Sequence, residues 1–181
     1  AMAGRAMIRR EVLQGLGAAA LWPGMVRAGA GTPFSEDGLH ELVRDLASKP
    51  YAPRPKVPQP WLDLNYGAYK SIRPRPDRAV WSGTAAPLQV DLFPPGLYFP
   101  RAVEVNLVEG GTATPLAFDW RYFDHPESLE SLPVDDTVGY AGLRLRTDLT
   151  GTGGSQEYAV FQGASYFRMI GAGEIYGLSA R

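Results

Sequence analysis

The hydrophobic positions of this chain follow two different periods, and the change between them divides the sequence. The first period is helical, with one apolar stripe formed by Leu39, Leu42, Val43 and Leu46. Spacings of three, four and seven residues are typical of an amphipathic helix. Ser35 is placed to cap the first turn, and Pro50 is placed to stop the helix. The pattern therefore predicts a helix over residues 35–48 whose stripe packs on the core.

Apolar and polar residues alternate one by one in several segments after Trp61. The segments cover residues 88–92, 103–107, 143–146 and 158–167, and turn signals rich in glycine, proline and aspartate separate them. This alternation is typical of half-buried antiparallel strands. No helical pattern of useful length lies between the strands, so parallel βαβ units are not expected. The sequence predicts an all-β fold, an antiparallel β-sandwich with one short N-terminal helix.

Five prolines in residues 50–60 separate the two patterns. A segment of this composition is extended and semi-rigid. Too little chain precedes it to fold alone, so we expect it to lie along the surface of the domain. The predicted division is 1–30, 31–60 and 61–181, where residues 61–181 form the N-terminal portion of an incomplete sandwich.

Residues 1–30 have the pattern of an export signal. Arg9-Arg10 precedes an apolar run of only about a dozen residues, and Ala28-Gly29-Ala30 follows it. A basic start, a short apolar middle and an A-x-A end are typical of a secretory signal. The paired arginines indicate the twin-arginine type. We expect export to the periplasm by the twin-arginine machinery, cleavage by signal peptidase and no stable membrane anchor, because a bilayer span needs roughly twenty residues.

Charge and composition exclude several classes of binding and catalytic site. The net charge is −1, so no overall field attracts nucleic acid. The chain contains no cysteine and two histidines, His40 and His125. No metal site and no cofactor are expected from that set.

The glycines at 151–154 lack the Gly-Lys-Ser/Thr of a phosphate loop, so they predict a hairpin turn. The sequence around Ser165 lacks the second glycine of a nucleophile elbow, so a serine hydrolase is not expected.

Acidic and aromatic side chains remain as candidates for carbohydrate chemistry. Glycoside hydrolysis needs two carboxyl groups at a defined separation, which sequence does not measure. Asp91 is one of the available carboxyl groups, Glu104 is expected on a solvated strand face, and Asp135-Asp136 is expected to form a turn. Aromatic rings can stack on sugar rings. Most of the tryptophans, tyrosines and phenylalanines after residue 60 are nevertheless expected in the core.

Two segments near the end of the chain carry a resemblance. They read VFQGASYFR at residues 160–168 and YGLSAR at residues 176–181. They resemble the signature of the periplasmic glucan biosynthesis proteins G and D (the MdoG type). Shorter pieces at residues 46–51, 69–73, 79–81 and 139–145 agree with it, and the arginine-pair signal is more like that of protein D.

The resemblance implies a large N-terminal β-sandwich, related to sugar-binding and mutarotase-like folds, followed by an immunoglobulin-like domain. It implies a role in making osmoregulated periplasmic glucans with a β-1,2-linked backbone. Some members resemble inverting endo-β-1,2-glucanases. Their catalytic acids lie beyond the segment matched here, so no catalytic residue is expected in this chain. The chain ends at Arg181 within the motif, and we expect it to be the N-terminal part of such a protein.

Within the motif, five residues are the predicted glucan contacts: Tyr166, Arg168, Tyr176, Ser179 and Arg181. Tyrosine offers a stacking face and arginine a rigid fork of donors. A structural network, in which arginine ties adjacent strands together, is the competing interpretation. Two functions stay open: binding and processing of β-1,2-glucan, or a non-catalytic scaffold that guides glucan to a synthase or modifying enzyme. A structural domain without sugar contact is the third.

Overall fold

The computed structural model describes residues 31–163, 165–174 and 178–180, the last three by their backbone alone. The predicted export signal at residues 1–30 lies outside the described residues. Within those ranges, no helix has the length and apolar character that a bilayer span requires.

Most of the regular structure is antiparallel sheet. The strands are β1 (Thr32–Pro33), β2 (Arg73–Pro74), β3 (Gln89–Phe93), β4 (Asn106–Glu109), β5 (Thr112–Pro115), β6 (Phe123–Asp124), β7 (Gly142–Thr147), β8 (Gln156–Gln162), β9 (Tyr166–Met169) and β10 (Leu178–Ala180). They form three sheets in the orders β1-β5-β4, β10-β9-β8-β7-β3 and β2-β6. The predicted all-β, sandwich-like class is confirmed.

The five-stranded sheet follows from the period-two pattern. Val90 pairs with Leu145, and Leu92 pairs with Leu143. Residues opposite each other in an antiparallel ladder share a face, so these four side chains form one apolar layer. Val90 and Leu92 are buried, and Leu143 and Leu145 pack against the same core. The strand predicted at 103–107 is shorter, because Val103 makes a single bridge to Tyr140 and β4 begins at Asn106.

The described part of the chain contains three α-helices where the sequence predicted one. They are α1 (Glu36–Ala47), α2 (Gln59–Leu62) and α3 (Tyr66–Ser71). The start of α1 is confirmed, because the Ser35 side chain accepts a hydrogen bond from the Gly38 amide. In α3, Asn65 caps the helix in the same way by accepting from Ala68 N at 2.9 Å. The two missed helices are too short to show a helical period in their apolar residues.

The apolar stripe of α1 does not pack on the core, and this part of the prediction is wrong. Leu39, Leu42, Val43 and Leu46 are 45 to 54% exposed. The helix buries no residue against the described part of the chain. Amphipathic spacing reports a face that can be buried, and it does not identify the surface that buries it.

The core is centred on aromatic rings. Trp61 is fully buried, and it stacks on Trp120 with ring centroids 5.3 Å apart. Phe118 meets Trp61 edge-on at 5.4 Å and lies 5.7 Å from Tyr140. Such pairs add roughly 0.5–1.5 kcal/mol each to the area they bury. Several of the aromatic residues considered for sugar stacking are therefore structural.

The proline-rich segment lies along this core. Val57 is buried, and its amide donates to Pro100 O at 2.9 Å. Arg101 Nε donates to Arg54 O at 2.7 Å, and Arg54 forms an ion pair with Glu104. These contacts hold the segment against residues 100–104.

Candidate functional site

Neighbouring strands of the five-stranded sheet align mainly polar residues on the face opposite the apolar layer. Asp91 on β3 pairs with Arg144 on β7. Arg144 pairs with Val160 on β8, and Val160 pairs with Arg168 on β9. Arg168 pairs in turn with Ser179 on β10. One row of residues therefore crosses all five strands on a single face.

Asp91 is the buried centre of this face. The residue is 1% exposed, although it alternates with the apolar Val90 and Leu92 on its strand. Its Oδ2 accepts from Arg144 Nε at 2.9 Å and Nη2 at 2.6 Å, and from Arg146 Nε at 2.8 Å. Its Oδ1 accepts from Arg146 Nη2 at 3.0 Å. The two arginines of β7 therefore cover this carboxylate.

Glu157 extends the network toward β9. Its Oε1 accepts from Arg168 Nε at 3.1 Å and Nη2 at 2.6 Å. Its Oε2 lies 3.6 Å from Arg144 Nη1. A register shift between Leu145 and Arg146 places Glu157 opposite Arg146, on the charged face. We call Asp91, Arg144, Arg146, Glu157 and Arg168 the charged cluster.

The charged cluster contains three guanidinium groups and two carboxylates, so its formal charge is +1. Arg168 keeps 38% of its side chain exposed, and Arg144 keeps 30%. Arginine pairs with carboxylates through a planar fork whose orientation is then fixed. The geometry presents two fixed guanidinium groups at the surface, and hydroxyl oxygens can accept from such donors.

The glycine-rich turn between β7 and β8 is closed to an added anion. The Asp148 carboxylate accepts from Gly153 N at 2.7 Å and from Thr150 N and Thr152 N at 3.2 Å. These hydrogen bonds, led by that of Gly153, hold the pKa of Asp148 below its usual value. The backbone amides that would bind a phosphate thus bind a side chain of the same turn, as the predicted hairpin requires.

A cavity of about 550 Å³ lies apart from the charged cluster. It is lined by Gly67, Lys70, Ser71, Arg73, Asp124, His125 and Pro126, and we call it the α3–β6 cavity. Neither Tyr166 nor Arg168 is among its lining residues.

The family model that describes the periplasmic glucan biosynthesis protein MdoG matches residues 34–181. The chain belongs to this family. Among its relatives, the glucans biosynthesis protein G of Vibrio cholerae strain N16961 is 43% identical over 150 residues. The proteins of the same name from Shewanella sp. strain W3-18-1 and Shewanella baltica strain OS155 are 41% and 40% identical.

The match covers 82% of this chain and 27% of the Vibrio cholerae protein. The chain therefore spans about a quarter of the length of the curated relatives it matches. Membership in the MdoG family supports a role in periplasmic glucan biosynthesis, and with it a periplasmic location.

The structure describes three of the five predicted glucan contacts. Tyr166 is partly buried at the start of β9, and Arg168 lies two residues further along the same face. Ser179 is placed by its backbone opposite Arg168. Tyr176 and Arg181 lie outside the described residues. Arg168 also ties β9 to β8 through Glu157, which is the contact that the competing structural interpretation predicts.

Four members of the charged cluster were not identified as site residues from the sequence. They are Asp91, Arg144, Arg146 and Glu157. The available signal was the alternation of arginine and leucine at residues 143–146, next to a strand that contains a single aspartate. Its meaning depends on strand register, because only register shows that Asp91 and Arg144 lie opposite each other.

Proposed function

We propose that the protein binds and processes β-1,2-linked glucan in the periplasm, and that the face carrying Tyr166 and Arg168 forms one wall of the glucan cleft. The observation that carries this proposal is the pair of partly exposed guanidinium groups of Arg144 and Arg168, both held by carboxylates. The proposed ligand is a glucan because the matching family is described as a periplasmic glucan biosynthesis protein.

Binding on this face has a simple physical basis. A glucose unit presents hydroxyl groups at its edge and C–H groups on its faces. Fixed guanidinium groups can donate to the hydroxyl oxygens without first losing side-chain freedom. Tyr166, on the same face as Arg168, can offer its ring to a C–H face.

The processing step needs acids other than those of the charged cluster. Asp91 is buried beneath two arginines, and Glu157 is engaged by Arg168. Neither carboxylate is oriented to protonate a glycosidic oxygen or to activate a water. In this proposal the charged cluster binds and orients the glucan, and the hydrolytic acids lie elsewhere in the protein.

A non-catalytic scaffold is the second candidate. It is favoured because both carboxylates of the charged cluster are hydrogen-bonded to arginines. The two functions differ in one measurement, which is the appearance of new reducing ends when the full-length protein is incubated with purified β-1,2-glucan. New reducing ends favour processing. Retained binding without cleavage favours the scaffold.

The cleft assignment is tested in the full-length protein with Tyr166→Ala and Arg168→Ala. Loss of a charge-assisted hydrogen bond costs roughly 1.5–3 kcal/mol, so we expect glucan affinity to fall about 10- to 100-fold for Arg168→Ala. Calorimetric titration with β-1,2-glucan measures it. Arg168→Lys keeps the charge without the fork, and it should restore only part of the affinity.

Arg121→Ala and Tyr51→Ala serve as matched controls, because both side chains are exposed and lie outside the charged cluster. Thermal unfolding of each variant separates loss of binding from loss of folding. Unchanged glucan affinity in both Tyr166→Ala and Arg168→Ala would show that this face is not the cleft wall.

A further inference from the structure

The α3–β6 cavity lies where α3 leads into β2. Lys70 and Ser71 come from α3, Arg73 from β2 and Asp124 from β6. Arg73 and Asp124 are opposite each other in the β2–β6 ladder. The two short strands and the helix therefore direct side chains of both charge signs into one concave surface.

The charges of the cavity are incompletely paired. Among the described residues, neither Lys70 nor Arg73 has a carboxylate within ion-pair distance, and Asp124 has only Arg75 Nε, at 3.8 Å. Cationic donors and a carboxylate acceptor thus share one wall. A neutral ligand with many hydroxyl groups can satisfy both kinds, because each hydroxyl donates and accepts. A simple anion bound in the cavity would be repelled by the Asp124 carboxylate.

Two aromatic rings contact residues that line the cavity. Tyr66 is 60% exposed and lies one helical turn before Lys70, whose Nζ is 5.8 Å from the centre of its ring. The His125 ring, which lines the cavity, contacts the Trp120 ring at a tilt of 51°, with centroids 4.4 Å apart. The His125 side chain is almost completely buried, so this wall is rigid. An exposed ring beside fixed polar groups matches the needs of a sugar, which has an apolar face and a polar edge.

We propose that the α3–β6 cavity is a second carbohydrate site, separate from the Tyr166 and Arg168 face, which binds a short stretch of β-linked glucose units. This inference rests on the proposed function for its ligand class. The volume of about 550 Å³ lies within the range of small-molecule pockets, roughly 300–1,000 Å³. Arg73 and Lys70 donate to sugar oxygens, Asp124 accepts from sugar hydroxyls, and Tyr66 stacks at the rim.

The test uses sophorose, the β-1,2-linked glucose disaccharide, as the probe and the full-length protein as the receptor. Isothermal titration is carried out with the parent, Arg73→Ala, Tyr66→Ala and Asp124→Asn. We expect each variant to bind sophorose about tenfold more weakly, the size expected for one lost hydrogen bond or stacking contact. The controls are Arg44→Ala and Tyr51→Ala, which remove side chains of the same types outside the cavity.

Folding is monitored by thermal unfolding in every case. Tyr66 and Arg73 are both exposed, so their variants are expected to unfold at the parent temperature. Parental sophorose affinity in Arg73→Ala and Tyr66→Ala would overturn the proposal. So would a parent that takes up inorganic phosphate in the cavity but not sophorose, since that result describes an anion site.

The two proposals fail in different ways. If Tyr166→Ala and Arg168→Ala both bind long glucan normally while Arg73→Ala loses sophorose, the cavity is supported and the cleft wall is wrong. If Arg168→Ala loses long glucan while Arg73→Ala binds sophorose like the parent, the cavity proposal alone is overturned. A parent that binds neither sugar contradicts both.

Discussion

At the scale of single residues, Asp91 is the clearest case of a charged side chain buried by its neighbours. It sits between two apolar residues of a strand, and its carboxylate accepts four hydrogen bonds from two arginines. Almost none of its side chain reaches solvent. A buried carboxylate in this position costs solvation free energy, which the paired guanidinium groups have to offset.

Removing the Asp91 carboxylate should therefore destabilise the fold strongly. Asp91→Ala leaves the mostly buried Arg146 guanidinium without its main partner. We expect the free energy of unfolding to fall by about 3–5 kcal/mol, the usual cost of breaking a buried ion pair from one side. Urea unfolding of the full-length protein measures the change.

Asp77→Ala is the matched control for that experiment. Asp77 forms an exposed ion pair with Arg75 at 2.9 Å. Its removal should change stability by at most about 1 kcal/mol, as for other surface pairs. Equal effects of the two substitutions would contradict the role assigned to Asp91.

A second residue-level prediction concerns alkaline pH. Burial raises the pKa of Tyr69 to about 12, and its hydroxyl donates to Pro94 O at 2.9 Å. In the unfolded chain tyrosine loses its proton near pH 10. Between pH 10 and 12 the unfolded state therefore binds fewer protons than the folded state, and stability falls as pH rises.

Tyr69→Phe should make the unfolding free energy fall less steeply between pH 10 and 12, because one proton difference is removed. Urea unfolding across that range measures the slope. The control is Tyr51→Phe, which alters an exposed ring and should leave the slope unchanged. Burial also raises the pKa of Tyr140, so a smaller pH dependence remains in the Tyr69 variant. A slope identical to that of the parent would argue against this assignment.

At the scale of elements, local signals predicted most of the secondary structure. The cap at Ser35 placed α1, and the alternation at residues 88–92 and 143–146 placed β3 and β7. Both signals act over a few residues and need no partner. The burial of Asp91 and the exposed stripe of α1 depend on which element lies opposite, and a single sequence does not contain that information.

Local signals also predicted only part of the candidate site. The sequence motif predicted Tyr166 and Arg168 as site residues, and these two residues share a face. The members of the charged cluster on β3, β7 and β8 were missed because only the pairing register of these strands brings them together. The α3–β6 cavity was missed as well, since most of its lining comes from a six-residue helix and two strands of two residues. None of these elements is long enough to show a period.

Gly142 gives a prediction about how β7 joins its neighbours. It has a φ of +154°, and an added Cβ would meet the Phe161 carbonyl oxygen and lie 2.8 Å from Gln162 Cα. Gly142→Ala should destabilise the protein by about 2–5 kcal/mol, from overpacking of about 1–3 and backbone strain of about 1–2. Chemical unfolding measures the loss.

Gly83→Ala separates strain from crowding in that comparison. Gly83 has a φ of +72°, and an added Cβ would meet nothing within 4 Å. Its substitution should cost only the strain, about 1–2 kcal/mol. If Gly142→Ala were as mild as Gly83→Ala, the close approach of β7 and β8 would be refuted.

At the scale of the whole molecule, two apolar surfaces are exposed in the described ranges. One is the stripe of α1, and the other is the pair Phe161 and Phe167, whose rings stack 6.3 Å apart and are about 40% exposed. Both lie on regular elements, so their side chains are held in fixed arrays. Contiguous apolar surface of this kind promotes association.

We therefore expect isolated residues 31–181 to self-associate and to be poorly soluble. Static light scattering at increasing concentration measures the association. Leu42→Glu combined with Phe167→Ser should reduce it, because a charge and a hydroxyl interrupt the two surfaces. Tyr51→Ser, at an exposed ring away from both, is the control. A monomer with a sharp, cooperative thermal transition would contradict this expectation.

The register shift in β8 has a consequence for how the protein tolerates insertions and deletions. Ala159 pairs with Leu145 and Glu157 with Arg146, so Tyr158 is an additional residue in the strand. Deleting it would restore regular alternation and leave Glu157 opposite Arg146, on the charged face. The charged cluster is thus compatible with either one residue or none between 157 and 159. In the 148–155 turn, gaps between natural variants should also be common.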